Sequence, residues 1–361
     1  MSQFIQLHLL TSYPPSNLNR DDMGRPKTAV MGGSTRLRIS SQSLKRAWRT
    51  SDTFTDVLGD GEIGTRTRRF GRKIYERFKA QGIDETKAIE WSKKIAGEFG
   101  DIEKEKESVD IRQLAHINTA EQQKALELAD LCASESREPT KEELDELRQR
   151  SKTVDIALFG RMLAAAPDQN IEAASQVAHA ITVHKSVVES DYFTAVDDLN
   201  TGEEDLGAGH IGETGYGAGL FYTYICINRS QLIDNLLGDE ALADRSITAL
   251  AKAAATVSPK GKQNSYGSRA FASYVLAEKG EQQPRSLVAA FLRPVQGENQ
   301  ADTAIKKLEA QAAAFDNAYG VGANGRFAVI ALPDNDERKS PLDNVTVGSL
   351  DGLLSFVGSD Q

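Results

Sequence analysis

Residues 35–49 most constrain the fold, because a short strand there runs directly into a helix. The apolar residues Leu37 and Ile39 alternate with arginine, which is typical of a half-buried strand. The hydroxyl of Ser40 or Ser41 can cap the free N–H groups of the helix that follows. We therefore predict a strand–helix junction whose polar sides face the surface.

The predicted helix carries one basic face and one apolar face. Leu44, Ala47 and Trp48 share the apolar side. The other side bears a glutamine and three cations, spaced to line one face: Gln42, Lys45, Arg46 and Arg49. A helix N-terminus beside such cations suits phosphate groups. A solvated face over an ordinary core helix is the alternative, but the arginine-bearing strand, the polar cap and the basic face occur together, and this favours polyanion binding.

The charge of the chain is unevenly distributed. Formal net charge is −9, which alone argues against a nucleic-acid partner. Between Arg20 and Lys79, however, fifteen Lys or Arg face seven Asp or Glu, a net of +8 that leaves −17 for the rest. A basic patch on an acidic body allows nucleic acid to bind at one surface.

Length and composition bound the remaining possibilities. With 361 residues, 40% of them apolar, the chain is expected to bury a substantial core and to hold two or three subdomains. Cys132 and Cys226 lie far apart, which argues against a disulfide framework or a zinc ribbon and suits a reducing cytosol. Neither a signal peptide at the N-terminus nor a membrane-length apolar stretch is apparent. We therefore expect a cytoplasmic protein with no membrane partner.

The apolar periodicity divides the chain into a β-containing core and a helical insertion. A first strand is predicted over 3–11 and an insertion over 56–188. The insertion should hold five amphipathic helices, at 66–81, 84–99, 121–134, 140–151 and 170–184. After it, residues 189–219 read as a glycine-rich β-hairpin arm that has too few apolar residues to be stable alone.

The part after the arm is predicted to return to the core. Strands are expected at 221–228, 285–293 and 327–332, helices at 230–237, 239–257 and 300–318, and a polar tail at the end. Strands and helices interleaved in this way predict an α+β fold, with an antiparallel sheet and a helical insertion.

Two further groups of residues are candidate sites. The loop 258–266 can touch nucleic acid through Lys260, Lys262 and Tyr266, or it can be a solvated surface loop. His179 and His184 are five residues apart without a neighbouring metal-binding motif, so structural roles are favoured and no metal is expected. No motif for another cofactor is present either.

Five passages in order resemble the CasC family, the backbone subunits of the type I-E CRISPR surveillance complex Cascade. They lie at 17–23, 38–47, 154–162, 178–184 and 192–199. The resemblance implies a hand-shaped α+β fold. Its parts would be a palm built as a modified RNA-recognition motif (ferredoxin-like) at 1–55 and 220–361, helical fingers at 56–188 and a β-hairpin thumb at 189–219.

The same resemblance implies function. Several copies would polymerise along one CRISPR guide RNA, together with other Cascade subunits. Each thumb would kink the RNA and flip out a base, while target DNA pairs with the guide segments, so that base pairing carries the specificity.

The resemblance also implies which residues bind RNA. The backbone-contacting set comprises Arg20, Lys27, Arg38, Ser40, Gln42, Lys45, Arg46 and Arg49, the last at a position where the family has Lys. Met162, with Arg161 beside it, would stack on a guide base, although a core methionine fits the spacing equally well. The base-separating wedge would comprise Tyr192, where Trp is common, with Phe193, Thr194 and Ile211.

A catalytic function is the rival prediction. Related complexes that cut RNA carry a thumb aspartate, and Asp197 and Asp198 lie in this region. A carboxylate without a partnered base or metal cluster is weak support for catalysis, so a turn or N-cap role is favoured and the protein is expected not to be an enzyme. A metal-dependent endoribonuclease remains the alternative.

Overall fold

The computed structural model describes residues 3–59, 61–148, 150–163, 169–195, 210–333, 342 and 344–359. Its strands are Phe4–Ser16 (β1), Thr28–Met31 (β2), Ser34–Ile39 (β3), Thr65–Thr67 (β4), Ala115–Ile117 (β5), Ser175–Val177 (β6), Ala180–Thr182 (β7), Glu189–Ala195 (β8), His210–Asn228 (β9), Ala272–Gly280 (β10), Gly325–Ile330 (β11) and Val345–Val347 (β12).

The helices are Ser41–Arg49 (α1), Asp52–Thr55 (α2), Phe70–Ala80 (α3), Glu85–Gly97 (α4), Thr119–Ser134 (α5), Lys141–Asp145 (α6), Val154–Phe159 (α7), Arg229–Asn235 (α8), Glu240–Thr256 (α9), Gln263–Tyr266 (α10), Gln300–Tyr319 (α11) and Leu350–Val357 (α12). The predicted α+β class is confirmed. Within the described ranges, no helix is both long and apolar enough to cross a membrane.

The main sheet is long and mostly antiparallel. Its path runs β12–β11–β10–β1–β9–β7–β3–β2, with β6 and β8 also paired to β9. Strand β1 is central and antiparallel to both β10 and β9. Only the β11–β12 pair is parallel among the strands described.

Both faces of the central sheet are covered. Ile5, Leu7 and Leu9 of β1 pack in a core with helices α1 and α9. Leu10 points to the other face and packs in a core that includes Ile305 of α11. Gln6 and His8, which share that face with Leu10, are buried too.

The helical insertion has its own hydrophobic core. Residues from Phe70 to Leu147 form a cluster that is separate from the two sheet cores. Edge-on contacts join Phe70 to Phe99 and Phe78 to Trp91. Because the cluster is local, this segment buries its apolar surface without the sheet.

Several predicted elements differ in the structure. The helix expected over 170–184 is wrong, because β6 and β7 lie there and pair with β9. The strand expected at 285–293 is also wrong, since Val288–Phe291 forms a short 3-10 helix that packs in the α11 core. Sequence reasoning missed β10, whose burial on both faces removes the alternation that marks a half-exposed strand. The polar tail contains helix α12.

Candidate nucleic-acid interface

The junction between β3 and α1 has the predicted geometry at its cap. The Ser40 hydroxyl accepts a hydrogen bond from the Ser43 N–H at 3.4 Å, as an N-cap does. The Ser40 N–H donates in turn to Asn19 Oδ1 at 2.8 Å. Ser40 is buried; its side chain caps the helix, and its backbone N–H ties the helix start to the preceding loop.

The basic face of α1 divides into exposed and engaged residues. Gln42 and Arg46 are exposed. The Lys45 ammonium lies 5.9 Å from the centre of the Phe159 ring, and burial, with the nearby charge of Arg66, lowers the pKa of Lys45. On this face Arg46 is therefore the exposed cation, and Lys45 is half-buried against Phe159.

Arg49 is held in an ion pair. Its Nη1 lies 2.9 Å from Asp155 Oδ2, and only 12% of its side chain is exposed. Asp155 also accepts hydrogen bonds from His116 Nε2 at 2.8 Å and from the Gly64 N–H at 2.9 Å. Burial would raise the pKa of the Asp155 carboxyl, but these donors outweigh it and hold that pKa below its usual value. Arg49 thus joins α1 to the insertion and is not one of the exposed cations of the helix.

The two arginines of β3 have different environments. Arg36, which the alternation placed on the polar face, is buried and donates to the carbonyls of Thr182 and Phe291, each at 2.9 Å. Arg38 is half-buried, and its Nη1 lies 2.8 Å from His179 Nδ1. The predicted surface strip of arginines therefore reduces to Arg38.

The loop between β1 and β2 is tied to the base of the arm by Asn17. Its Nδ2 donates to Gly24 O at 2.9 Å and to Gly215 O, on β9, at 2.8 Å. The Lys27 N–H donates to Asn19 O at 2.9 Å, which shapes the return of the loop. The fixed backbone presents the exposed Arg20 and the half-buried Lys27 beside the arm.

The loop 258–266 approaches the same place from another direction. A Cβ on Gly261 would lie 2.2 Å from Leu18 O, so this close approach requires glycine. Lys262 Nζ donates to Thr214 Oγ1 on β9 at 2.9 Å, and Tyr266 lies against Tyr216, with 6.3 Å between ring centres. Lys260 is exposed.

These loops and α1 border two cavities that share Arg20 as a lining residue. One cavity, of about 420 Å³, is lined by Arg20, Arg46 and Lys260, with Ser43 and Thr50. A second, of about 440 Å³, shares Arg20 and extends to Arg25, Lys262 and the arm residues Glu213, Thr214 and Gly215. We call this pair of cavities the cationic groove. Its cations can neutralise phosphates, and Asp21 and Glu213 are the carboxylates on its walls.

Strands β8 and β9 form the projecting arm. Their antiparallel pairing, from Glu189 opposite Tyr216 to Ala195 opposite His210, agrees with the hairpin predicted for this segment. Every residue of β8 is exposed. Asp197 and Asp198 lie outside the described residues.

The four predicted wedge residues occupy both faces of the arm. Side chains alternate along a strand, so Tyr192, Thr194 and its partner Ile211 share one face, and Phe193 lies on the other. A Cβ on Gly212 would lie 2.3 Å from the Phe193 ring, so the ring packs over this glycine. The arm therefore presents a mixed aromatic and aliphatic face and, opposite it, one supported aromatic ring.

Arg161 and Met162, although adjacent, point to different environments. Arg161 is corrected to an interior position, since its side chain is 1% exposed and its Nη1 lies 2.8 Å from both carboxylate oxygens of Glu121. Met162 is 81% exposed and follows α7 as irregular chain, so the alternative of a core methionine on a helix is wrong.

The two candidate histidines contact protein groups. His184 Nε2 accepts the Leu220 N–H at 3.1 Å, and Nδ1 lies 2.9 Å from Lys185 O. His179 contacts Arg38, and burial, with the charges of Arg38 and Lys27, lowers its pKa. Among the described residues no cluster of three or more metal-ligand side chains occurs.

Sequence reasoning missed the residues that shape the groove without carrying charge. Asn17 and Gly261 act through contacts with segments distant in the chain, which no local pattern reveals. Arg25, in the loop between β1 and β2, also lines the groove, and its positive charge is the sequence signal that could have identified it.

Comparisons with known proteins agree with this architecture. A chain from the structure described as "CRISPR RNA-guided surveillance complex, pre-nicking" is 27% identical with a TM-score of 0.85, covering 98% of this chain and 100% of that one. A chain from a second "CRISPR RNA-guided surveillance complex" is 24% identical with a TM-score of 0.74, covering 98% and 99%, and shows a shared fold. No curated protein matches the sequence. The model of the CT1975-like protein family matches residues 5–355, and the chain belongs to that family.

Proposed function

We propose that this chain is a non-catalytic, RNA-binding subunit of a CRISPR RNA-guided surveillance complex. The cationic groove beside an exposed arm carries this proposal, because cations suited to phosphates meet a projecting ribbon with aromatic side chains at one place. The likeness to chains of such complexes supports a role in CRISPR defence.

The finer proposal is that the chain is the type I-E backbone subunit. Copies would polymerise along a guide RNA, each holding the RNA backbone in its groove, with other subunits and target DNA as further partners. The exposed faces of the arm support the kinking role, because an aromatic ring can separate and stack on bases. Exposure of Met162 supports its proposed contact with a guide base.

The palm is proposed to be a modified RNA-recognition motif. The order β10–β1–β9 with β6 and β7 beyond, all antiparallel neighbours, supports it. Along the chain, α1 lies between β1 and the strands β6 and β7, and α9 lies between β9 and β10. This order is that of a β-α-β-β-α-β unit. The helical fingers and the arm are then insertions into that unit.

Guide binding tests the proposal. The double variant Arg20→Ala with Arg46→Ala should weaken binding equally for unrelated guide sequences, because the groove contacts phosphates. The slope of log affinity against log salt should fall by roughly 0.7 for each phosphate that is no longer neutralised. Lys87→Ala with Arg112→Ala removes two exposed cations from the insertion and serves as the matched control. Wild-type affinity in the groove variant would refute the proposal.

The endoribonuclease alternative has its own test. We expect the purified chain to leave RNA intact in the presence of Mg²⁺. Metal-dependent cleavage that disappears in Asp197→Asn or Asp198→Asn would establish catalysis instead.

A further inference from the structure

A third and larger cavity adjoins the cationic groove. It has a volume of about 890 Å³ and shares Thr50 and Lys260 with the groove. Its walls come from the start of α2, the end of α9, the loop before α10 and the segment leading into β10. Most of the lining residues are of polar types, among them Asp52, Thr53, Thr256, Gln263 and Asn264.

An exposed aromatic ring stands at this cavity. Phe271 immediately precedes β10, lines the cavity and is 73% exposed. Arg269, two residues earlier, also lines it and is exposed, with no ion pair to any residue that the structure describes. The cavity therefore has cations at two places, Lys260 on the side of the groove and Arg269 near the ring.

This set of groups matches the chemistry of a nucleotide. An aromatic face stacks on any base, and nearby cations attract the phosphates of the same strand. Asp52 would repel a phosphate but can accept a hydrogen bond from a base amino group or a sugar hydroxyl. The phosphate of the nucleotide would therefore lie near Lys260, which also lines the groove, and its base would lie against Phe271.

We propose that this cavity binds one nucleotide of a single-stranded nucleic acid, with its base stacked on Phe271 and its phosphate beside Lys260. The inference rests on the proposed function and extends it, because it assigns a base-contacting subsite away from the arm. The shared lining residues Thr50 and Lys260 favour nucleic acid over a protein segment, since a strand bound in the groove need only pass Lys260 to reach the cavity.

Phe271→Ala provides the test in the full chain assembled with guide RNA. Loss of one base–aromatic stack should weaken RNA binding by at least about fivefold. Phe271→Tyr keeps the ring face and should bind within about twofold of wild type. Tyr319→Ala removes another highly exposed ring, one that lines a different cavity, and should leave binding unchanged.

A second measurement locates the contact. Guide RNA and, separately, single-stranded target DNA carrying photoreactive pyrimidines would be crosslinked, and the peptide containing Phe271 should carry the adduct. The strand that forms the adduct shows whether the bound nucleotide belongs to the guide RNA or to the target DNA. Wild-type affinity in Phe271→Ala together with the absence of an adduct would overturn the proposal. So would a changed oligomeric mass without a change in RNA affinity, because the ring would then serve contacts between copies.

The outcomes separate this inference from the proposed function. If Phe271→Ala binds RNA normally and wild type forms no adduct at Phe271, while Arg20→Ala with Arg46→Ala binds RNA weakly, only the nucleotide pocket is refuted. If the groove variant also binds normally, the proposed function fails as well.

Discussion

Arg161→Ala distinguishes a structural role of Arg161 from the RNA-binding role that the family resemblance implied. The Arg161 guanidinium and the Glu121 carboxylate are both buried and lie 2.8 Å apart. Glu121 also closes the capping box of α5, in which its carboxylate accepts the Asn118 N–H and its N–H donates to Asn118 Oδ1. Removing the arginine takes away the cation that lies beside this buried carboxylate, at a cost of about 3–5 kcal/mol in the free energy of unfolding.

The melting temperature measures this destabilisation. An unfolding entropy of about 2.1 cal/mol/K per residue over the whole chain converts it to a Tm decrease of about 4–7 °C. Glu121→Gln tests the same pair from the other side. The double variant Arg161→Met with Glu121→Gln should recover part of the stability, because no unpaired charge remains. An unchanged Tm in Arg161→Ala, with weakened guide binding, would refute the reasoning and restore Arg161 to the RNA interface.

Three other substitutions test contacts within the protein. Arg49→Ala should lower the free energy of unfolding by about 1.5–3 kcal/mol in urea titrations, because it removes a charged donor from Asp155, while guide affinity changes less than in a groove variant. Gly261→Ala should displace the loop from the Leu18 carbonyl and weaken guide binding in a filter assay, with the circular dichroism of the fold retained. Burial lowers the pKa of His8, so the unfolded chain binds more protons; stability should be complete above about pH 6.5 and fall as the pH decreases below it. A conservative His8→Gln variant should show a shallower pH dependence of Tm between about pH 7 and pH 5, and an unchanged slope would contradict this assignment.

Burial favours the neutral form of His8, and it outweighs the Glu278 carboxylate, which would raise the His8 pKa. His8 Nε2 lies 3.1 Å from Glu278 Oε2, and Nδ1 lies 2.9 Å from the Tyr222 hydroxyl, which accepts the Leu287 N–H. An imidazole with its proton on Nε2 satisfies both partners, as donor to the carboxylate and acceptor from the hydroxyl. Burial would raise the pKa of Glu278, but His8 and Arg285 hold it below its usual range. Because both pKa values are lowered in the folded chain, protonation of either His8 or Glu278 at low pH decreases the stability of the fold.

Sequence alone determined the local elements whose signals lie within a few residues. The cap at Ser40, the helix that follows and the pairing of the arm strands need only side-chain spacing, a hydroxyl and glycines. The α+β class followed from the interleaving of such elements. Family resemblance added candidate residues that no spacing rule could have selected, such as Met162.

Only the tertiary structure decided which cations are available. Arg36, Arg49 and Arg161 have the same charge as Arg20 and Arg46, but carbonyls and carboxylates from distant segments surround them. It likewise decided that β10 is a strand, because its hydrogen bonds go to β1 and β11 and not to its sequence neighbours. A local pattern encodes propensity, but burial, pairing and charge compensation depend on residues far away in the chain, and these are fixed only when the chain folds.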